Sequence, residues 1–250
     1  MNHIEKTQQP PDILQTIGKK KTLEMCSEAD KGAIDFEFDS RIYADKSVKN
    51  LLIKDQHNKC AYCERYFNGD FGDVEHFRPK KGYMQNGKLM KPGYYWLAYD
   101  WSNLLCSCSE CNRLYKKNNF PIADDSKRNI AHRDISKEQA LLVNPVEDDV
   151  SKIIEFNRYI ITTKNLSDGD STASKAQRTI ELLKLNERGD LLRRRRQVWE
   201  DYVQYETIRK MALHDKNTSI VALCDKLIEK LTSEESEFTG MFKYQYRSVR

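Results

Sequence analysis

A chain of 250 residues is long enough for one sizeable domain or two small ones, and 39% hydrophobic residues with 13 Tyr, 9 Phe and 3 Trp can build a core. Its 42 Lys and Arg against 38 Asp and Glu leave a net charge of +4, so the placement of the basic residues says more than their total. No run approaches transmembrane length and the N-terminal stretch lacks a hydrophobic signal core, which excludes a membrane-spanning helix and predicts a cytoplasmic protein.

Three segments are expected: residues 1–45, 46–125 and 126–250. The first is mixed and polar, with Pro10-Pro11 breaking any early helix, and could contact a partner. "DKSVKNLLIKDQHNK" suits a short amphipathic helix, with Asp45 or Ser47 as its cap and Cys60 just beyond its end. "FGDVEHF" reads as a strand after an Asn68-Gly69 turn, and "MQNGKLMK" carries an Asn-Gly hairpin signal. "YYWLAYDW" suits a short helix or a strand, as aromatic core packing. "CNRLYKK" opens a helix. Beyond Pro121, "LLVNPVEDD" suggests a buried extended segment followed by a turn, and "IIEFNRYIITT" a strand or hairpin. Helical patterns dominate from Thr172 onward.

Basic residues concentrate in two places. From His76 to Lys117 eight of them face only Asp100 and Glu110, and from Lys184 to Arg196 six face Glu187 and Asp190. Such blocks suit a phosphate partner, although four consecutive arginines at 193–196 spread around a helix and cannot all touch one strand.

Seven cysteines in an intracellular chain are not expected to pair as disulfides. Cys60 and Cys63 form one C-x-x-C, and Cys108 and Cys111 form another, with 44 residues between Cys63 and Cys108. Two knuckles of two thiolates each supply the tetrahedral set that structural zinc requires. Cys106 breaks that spacing and is left out, while Cys26 and Cys224 stand alone as small core residues. Between the knuckles, Glu75-His76 places a carboxylate beside an imidazole. Neighbouring strand residues face opposite ways, so the two can share a site only if the strand ends there, and Pro79 makes such an end.

The order C-x-x-C, Glu-His with "RPK", Asn103-Leu104, and C-x-x-C followed by Asn112 resembles the HNH nuclease motif. "CAYCE", "VEHFRPK", "YYWLAYDWSNLL" and "CNRLYKKNNFPI" are similar to the HNH subunit of Septu-type anti-phage systems, the PtuB-like group, some of whose members stand beside retrons. The likeness covers about Val48 to Arg196 and includes "LLVNPVEDD" and "TIELLKLNERGDLLRRRR".

The resemblance implies an α+β protein, with a ββα-metal (HNH) core and zinc knuckles embedded in a mostly helical chain. It implies a DNA endonuclease in which His76 is the general base and Asn103 holds the imidazole by accepting its other N–H. Glu75 and Asn112 would bind one catalytic Mg²⁺ or Mn²⁺, with Arg78, Lys80, Lys116 and Lys117 on phosphates. Glu75 stands where many HNH enzymes carry Asp, and Asn112 where many carry His, which predicts loose metal binding. The implied partners are a PtuA-like ATPase docked outside the core, notably on the C-terminal helices, and for retron-linked members a reverse transcriptase with its RNA–DNA product. The competing expectation is a zinc-stapled nucleic-acid-binding or assembly module without catalysis. A thiol–disulfide exchanger is the third, and tightly bound zinc at one per chain would exclude it.

Overall fold

The computed structural model describes residues 1–67, 72–134, 138–164 and 171–245. The expected Asn68-Gly69 turn lies outside the described residues.

Pro10-Pro11 does not end helical structure but precedes it. A π-type helix, Leu14–Gly18, runs straight into α1, Lys19–Ala29. Leu14, Gly18 and Met25 are its buried positions, which is helical spacing. Gly18 allows close packing, because a Cβ there would stand 3.0 Å from the Cβ of Tyr99. A short α2, Ser40–Tyr43, is capped by the Asp39 side chain. The next helix, α3 (Lys46–Asp55), begins as expected: Asp45 accepts from the Ser47 amide at 2.8 Å, and Val48 and Leu52 are fully buried.

Four strands build two ribbons. β1, Asp73–His76, is followed by the hairpin of β2, Tyr83–Gln85, and β3, Lys88–Met90. Asn86 and Gly87 turn that hairpin with φ of 50° and 74°, the left-handed pair that a tight two-residue turn requires. β4, Leu104–Ser107, returns antiparallel to β1, setting Glu75 opposite Leu105 and His76 opposite Leu104. The "YYWLAYDW" stretch forms neither α-helix nor strand but two 3₁₀ turns, Tyr95–Leu97 and Trp101–Asn103. Its rings pack inward, with Phe36 stacked on Tyr95 at 4.4 Å between centroids. Immediately after β4, a π-type helix, Glu110–Lys116, carries the second cysteine knuckle.

Leu142 and Val143 are fully buried without forming a strand, and the Asp148 side chain accepts from the Asn144 amide in the turn that follows. Then come α4 (Val150–Ile153), the hairpin of β5 (Ile154–Asn157) and β6 (Ile160–Thr163), and α5 (Ser171–Leu182). A long α6, Gly189–His214, packs along α7, Thr218–Thr232, and α8 (Thr239–Lys243) closes the described chain. One core cluster joins Leu14 and Phe36 to Leu52, Phe77, Leu104 and Phe120, and on to Val143, Phe156 and Leu191. Each of the three expected segments therefore contributes to it. No described helix is long and apolar enough to cross a membrane.

The arginine run behaves as helix geometry requires. Arg194 pairs with Glu237 and Arg196 with Glu200, while Arg195 turns inward and donates to the Leu185 and Tyr159 carbonyls. Lys6 likewise donates to the carbonyls of Trp101 and Leu104, and burial lowers its ammonium from 10.5 to about 7. Between those two values the unfolded chain holds a proton that the folded chain does not, so stability rises as pH rises from about 7 towards 10. Urea titrations at pH 7 and pH 9 are expected to show that gain in the parent and a smaller one in Lys6→Met. Equal gains would remove Lys6 as its source.

Candidate metal centre and active site

The first knuckle sits in the turn after α3. The Glu64 amide donates to the Cys60 carbonyl, the Cys60 amide to Arg65, and the Ala61 amide to Cys106 in β4 at 3.0 Å. The second knuckle opens the Glu110–Lys116 helix, where the Asn112 amide donates to the Cys108 carbonyl. The two meet in space. The sulfurs of Cys60, Cys63, Cys108 and Cys111 all lie within 4.8 Å of one another, and all four residues are buried. None is in a disulfide, and Cys63 and Cys108 stand 3.8 Å apart. Burial pushes the Cys60 thiol well above its ordinary range, and a bound cation would favour its thiolate form. These four cysteines could bind a structural metal such as zinc. Cys106 is not one of them; it is fully buried in β4, and its backbone amide and carbonyl both bond the Gln56 side chain.

Against β1 and the Glu110–Lys116 helix lies a cleft of about 390 Å³, lined among others by Asp73, Glu75, His76, Lys80, Asn112 and Lys117. β1 ends at His76, so Glu75 and His76 reach one cleft despite strand alternation. Nε2 of His76 lies 2.9 Å from the Ala98 carbonyl oxygen. A carbonyl only accepts, so Nε2 carries the proton and Nδ1 keeps its lone pair. Lys80 Nζ donates to that Nδ1 at 3.2 Å, and the Tyr43 ring meets the imidazole edge-on at 4.8 Å. Burial, then the Lys80 charge, hold the imidazole well below its ordinary range. Burial also lowers the Lys80 ammonium to about 8. A larger cleft of about 740 Å³ runs between residues 2–8 and the end of α3, but its Lys6 and Lys59 are committed to backbone carbonyls.

Three expected contacts take another form. Asn103 does not hold the imidazole. Its Oδ1 accepts from the Arg78 amide at 2.7 Å, and its Nδ2 donates to the Arg78 and Leu97 carbonyls. It thus pins the turn that presents the Ala98 carbonyl, and acts on His76 only through backbone. Lys116 is no phosphate contact: it is fully buried, donates to the His76 carbonyl at 2.9 Å, and lies 2.5 Å from Glu75 Oε1. Arg78 pairs with the buried Glu138 at 2.9 Å and does not line the cleft. Lys80 and Lys117 do line it, together with Lys81 and Arg113, which motif spacing had not singled out.

Asp73 was also missed. It lies two residues before Glu75, on the same strand face, and its carboxylate accepts from Asn112 Nδ2 at 3.2 Å and from Arg113. The period of two was the available signal. Burial pushes the Glu75 carboxyl above its ordinary range, against the pull of Lys116. Glu75 Oε1 is buried without a hydrogen-bond donor, its approach to Lys116 being close in distance but off in angle. Glu75, Asn112 and Asp73 offer oxygen donors that suit a hard divalent cation. Among the described residues, the four cysteines are nevertheless the one group of three or more Cys, His, Asp or Glu side chains close enough to share an ion.

No family model matches the chain. It is 50% identical over 125 residues to Septu protein PtuB of Bacillus mycoides (strain KBAB4), covering 49% of this chain and 42% of that protein. It is 30% identical over 142 residues to Septu protein PtuB of Bacillus thuringiensis, covering 56% of this chain and 41% of the relative. It is also 28% identical over 149 residues to Septu protein PtuA of Bacillus mycoides (strain KBAB4), covering 58% of this chain and 20% of that protein. The chain thus spans less than half the length of each of these relatives. Over about half of its own length, this chain is PtuB-like.

Proposed function

We propose that this chain is a metal-dependent HNH endonuclease that hydrolyses DNA, the effector of a Septu-type anti-phage complex in the cytoplasm. The observation that carries the reading is the imidazole of His76, with Nε2 fixed by the Ala98 carbonyl and Nδ1 turned to the cleft that Glu75 and Asn112 also line. β1, β4 and the Glu110–Lys116 helix are read as the ββα-metal core, and the four cysteines as a structural zinc site.

Nδ1 of His76 takes a proton from water, the water oxygen attacks phosphorus, and the bond to the leaving oxygen breaks. Lys80 must first release Nδ1, and an incoming phosphate offers its ammonium a better partner. Glu75 and Asn112, with Asp73 beside them, would hold Mg²⁺ or Mn²⁺. When bound, such an ion neutralises phosphate charge and stabilises the leaving oxygen. Lys81, Arg113 and Lys117 flank the cleft as phosphate contacts. A PtuA-like ATPase is the proposed partner, docking on the α6–α7 hairpin, where Met211, Leu213, Ile220 and Leu223 are exposed. A retron reverse transcriptase with its RNA–DNA product is the alternative assembly.

A non-catalytic, zinc-stapled binding module is favoured by one observation, the Lys116 ammonium already standing against Glu75. One experiment separates the two. Chain and ATPase, purified together, are incubated with plasmid DNA, linear DNA and RNA in Mg²⁺ or Mn²⁺. DNA cleavage that EDTA abolishes is expected. Binding without any cleavage under every condition would leave the module.

A further inference from the structure

The cysteine centre has a neighbour that the proposed chemistry does not use. Arg188, the residue before α6, has a side chain only 2% exposed, and its Nη1 donates to Cys111 Sγ at 3.2 Å. Nη2 pairs with Glu110, which also accepts from Arg65 at 2.7 Å. The guanidinium lies 5.2 Å from the Tyr115 ring centroid. Its Nε is buried with no hydrogen-bond partner, so hydrogen bonding alone does not account for burying this cation.

Charge supplies the missing reason. Zinc with four thiolates carries two net negative charges, and these would be buried with the cysteines. The Arg65–Glu110 pair is nearly self-compensating, and Asp190, which also pairs with Arg65, is half exposed and screened by water. Arg188 is the buried cation that reaches sulfur. Arg195, seven residues further on and inside α6, is another buried guanidinium.

We infer that Arg188 is an outer cation of the metal centre, so that metal retention and the docking of α6 depend on one another. The inference rests on the zinc reading above. Arg188 positions and neutralises; it does not ligate. Its N–H drains charge from the Cys111 sulfur, and through the chain the same residue sets where α6 begins, because the Leu192 amide donates to its carbonyl.

The test uses the full chain with zinc, and with Co²⁺ in its place, in the parent and in Arg188→Met, Arg188→Lys and Arg65→Met. Zinc release to a chromophoric chelator is expected to be about 10- to 100-fold faster in Arg188→Met. Its sulfur-to-cobalt charge-transfer band is expected to move to lower energy, because the sulfur has lost a donor. Arg188→Lys should fall between, and Arg65→Met, which loosens Glu110 without touching sulfur, should match the parent. Parental release and an unmoved band in Arg188→Met, even with a lower Tm, would make Arg188 a strut and overturn the inference. Should that variant fail to fold, Arg188→Lys is decisive: it lacks the planar fork that spans sulfur and Glu110, and an unmoved band there overturns the inference equally. A parent that binds neither zinc nor Co²⁺ is a distinct result, sinking the zinc reading itself.

Discussion

Cys108→Ser is expected to lose its metal and much of its stability together, while Cys106→Ser keeps the metal. The four sulfurs lie within 4.8 Å of one another, but they come from the turn after α3 and the start of the Glu110–Lys116 helix, one pair before β1 and the other after β4 along the chain. An ion shared by them ties those elements at one point, and its binding energy becomes folding energy. In isolated zinc-binding peptides that energy is about 10–16 kcal/mol, so forfeiting even about 3 kcal/mol in a domain this size lowers Tm by about 6–12 °C. Cys106 is as buried as the four, so its serine variant carries the cost of burying a hydroxyl. Metal stoichiometry, more than Tm, therefore separates the two variants. One metal per chain and a parental Tm in Cys108→Ser would refute the assignment of this ligand.

That prediction could be framed from spacing, because a C-x-x-C knuckle is a local object. The same holds for the Asp45 cap of α3 and the Asn86–Gly87 turn: a few consecutive residues determine each geometry. Legibility fails where the partner is distant along the chain. The Ala98 carbonyl bonds His76 across 22 residues, and no side-chain motif could announce a backbone acceptor. Lys116 looked like a surface base one position from Lys117, yet a π-type turn buries it under β1 and leaves Lys117 outside. Arg188 lies 77 residues from the sulfur it touches and was hidden among basic residues that suggested a phosphate surface. The helix through residues 14–29 is a different failure. Leu14, Gly18 and Met25 lie on one face, but two prolines drew attention to a break and away from a beginning.

His76→Ala is expected to slow DNA cleavage about 10²- to 10⁴-fold, the range that a positioned general base supplies, with metal content and DNA binding kept. The expectation rests on the tautomer. With Nε2–H committed to the Ala98 carbonyl, Nδ1 is the only ring atom able to accept a proton from water. Burial and the Lys80 charge keep that nitrogen unprotonated well below the ordinary range of histidine. The sign follows. The base works when unprotonated, so its rate falls as pH falls through its own pKa, and a depressed pKa moves that fall to lower pH. Parental single-turnover cleavage should therefore be flat from pH 7.5 through about 6.5 and drop only in more acidic buffer. A rate halved near pH 6.5 would mean that the imidazole is not buried as described. Asn103→Ala supplies the contrast, because Asn103 acts on the ring only through the turn it pins. It should slow cleavage less than His76→Ala and move the acid limb towards the ordinary histidine range as the Ala98 carbonyl loosens and water enters. A histidine variant that cuts at the parental rate would remove the imidazole from the reaction, leaving the cleft as a place where phosphates bind and are not broken.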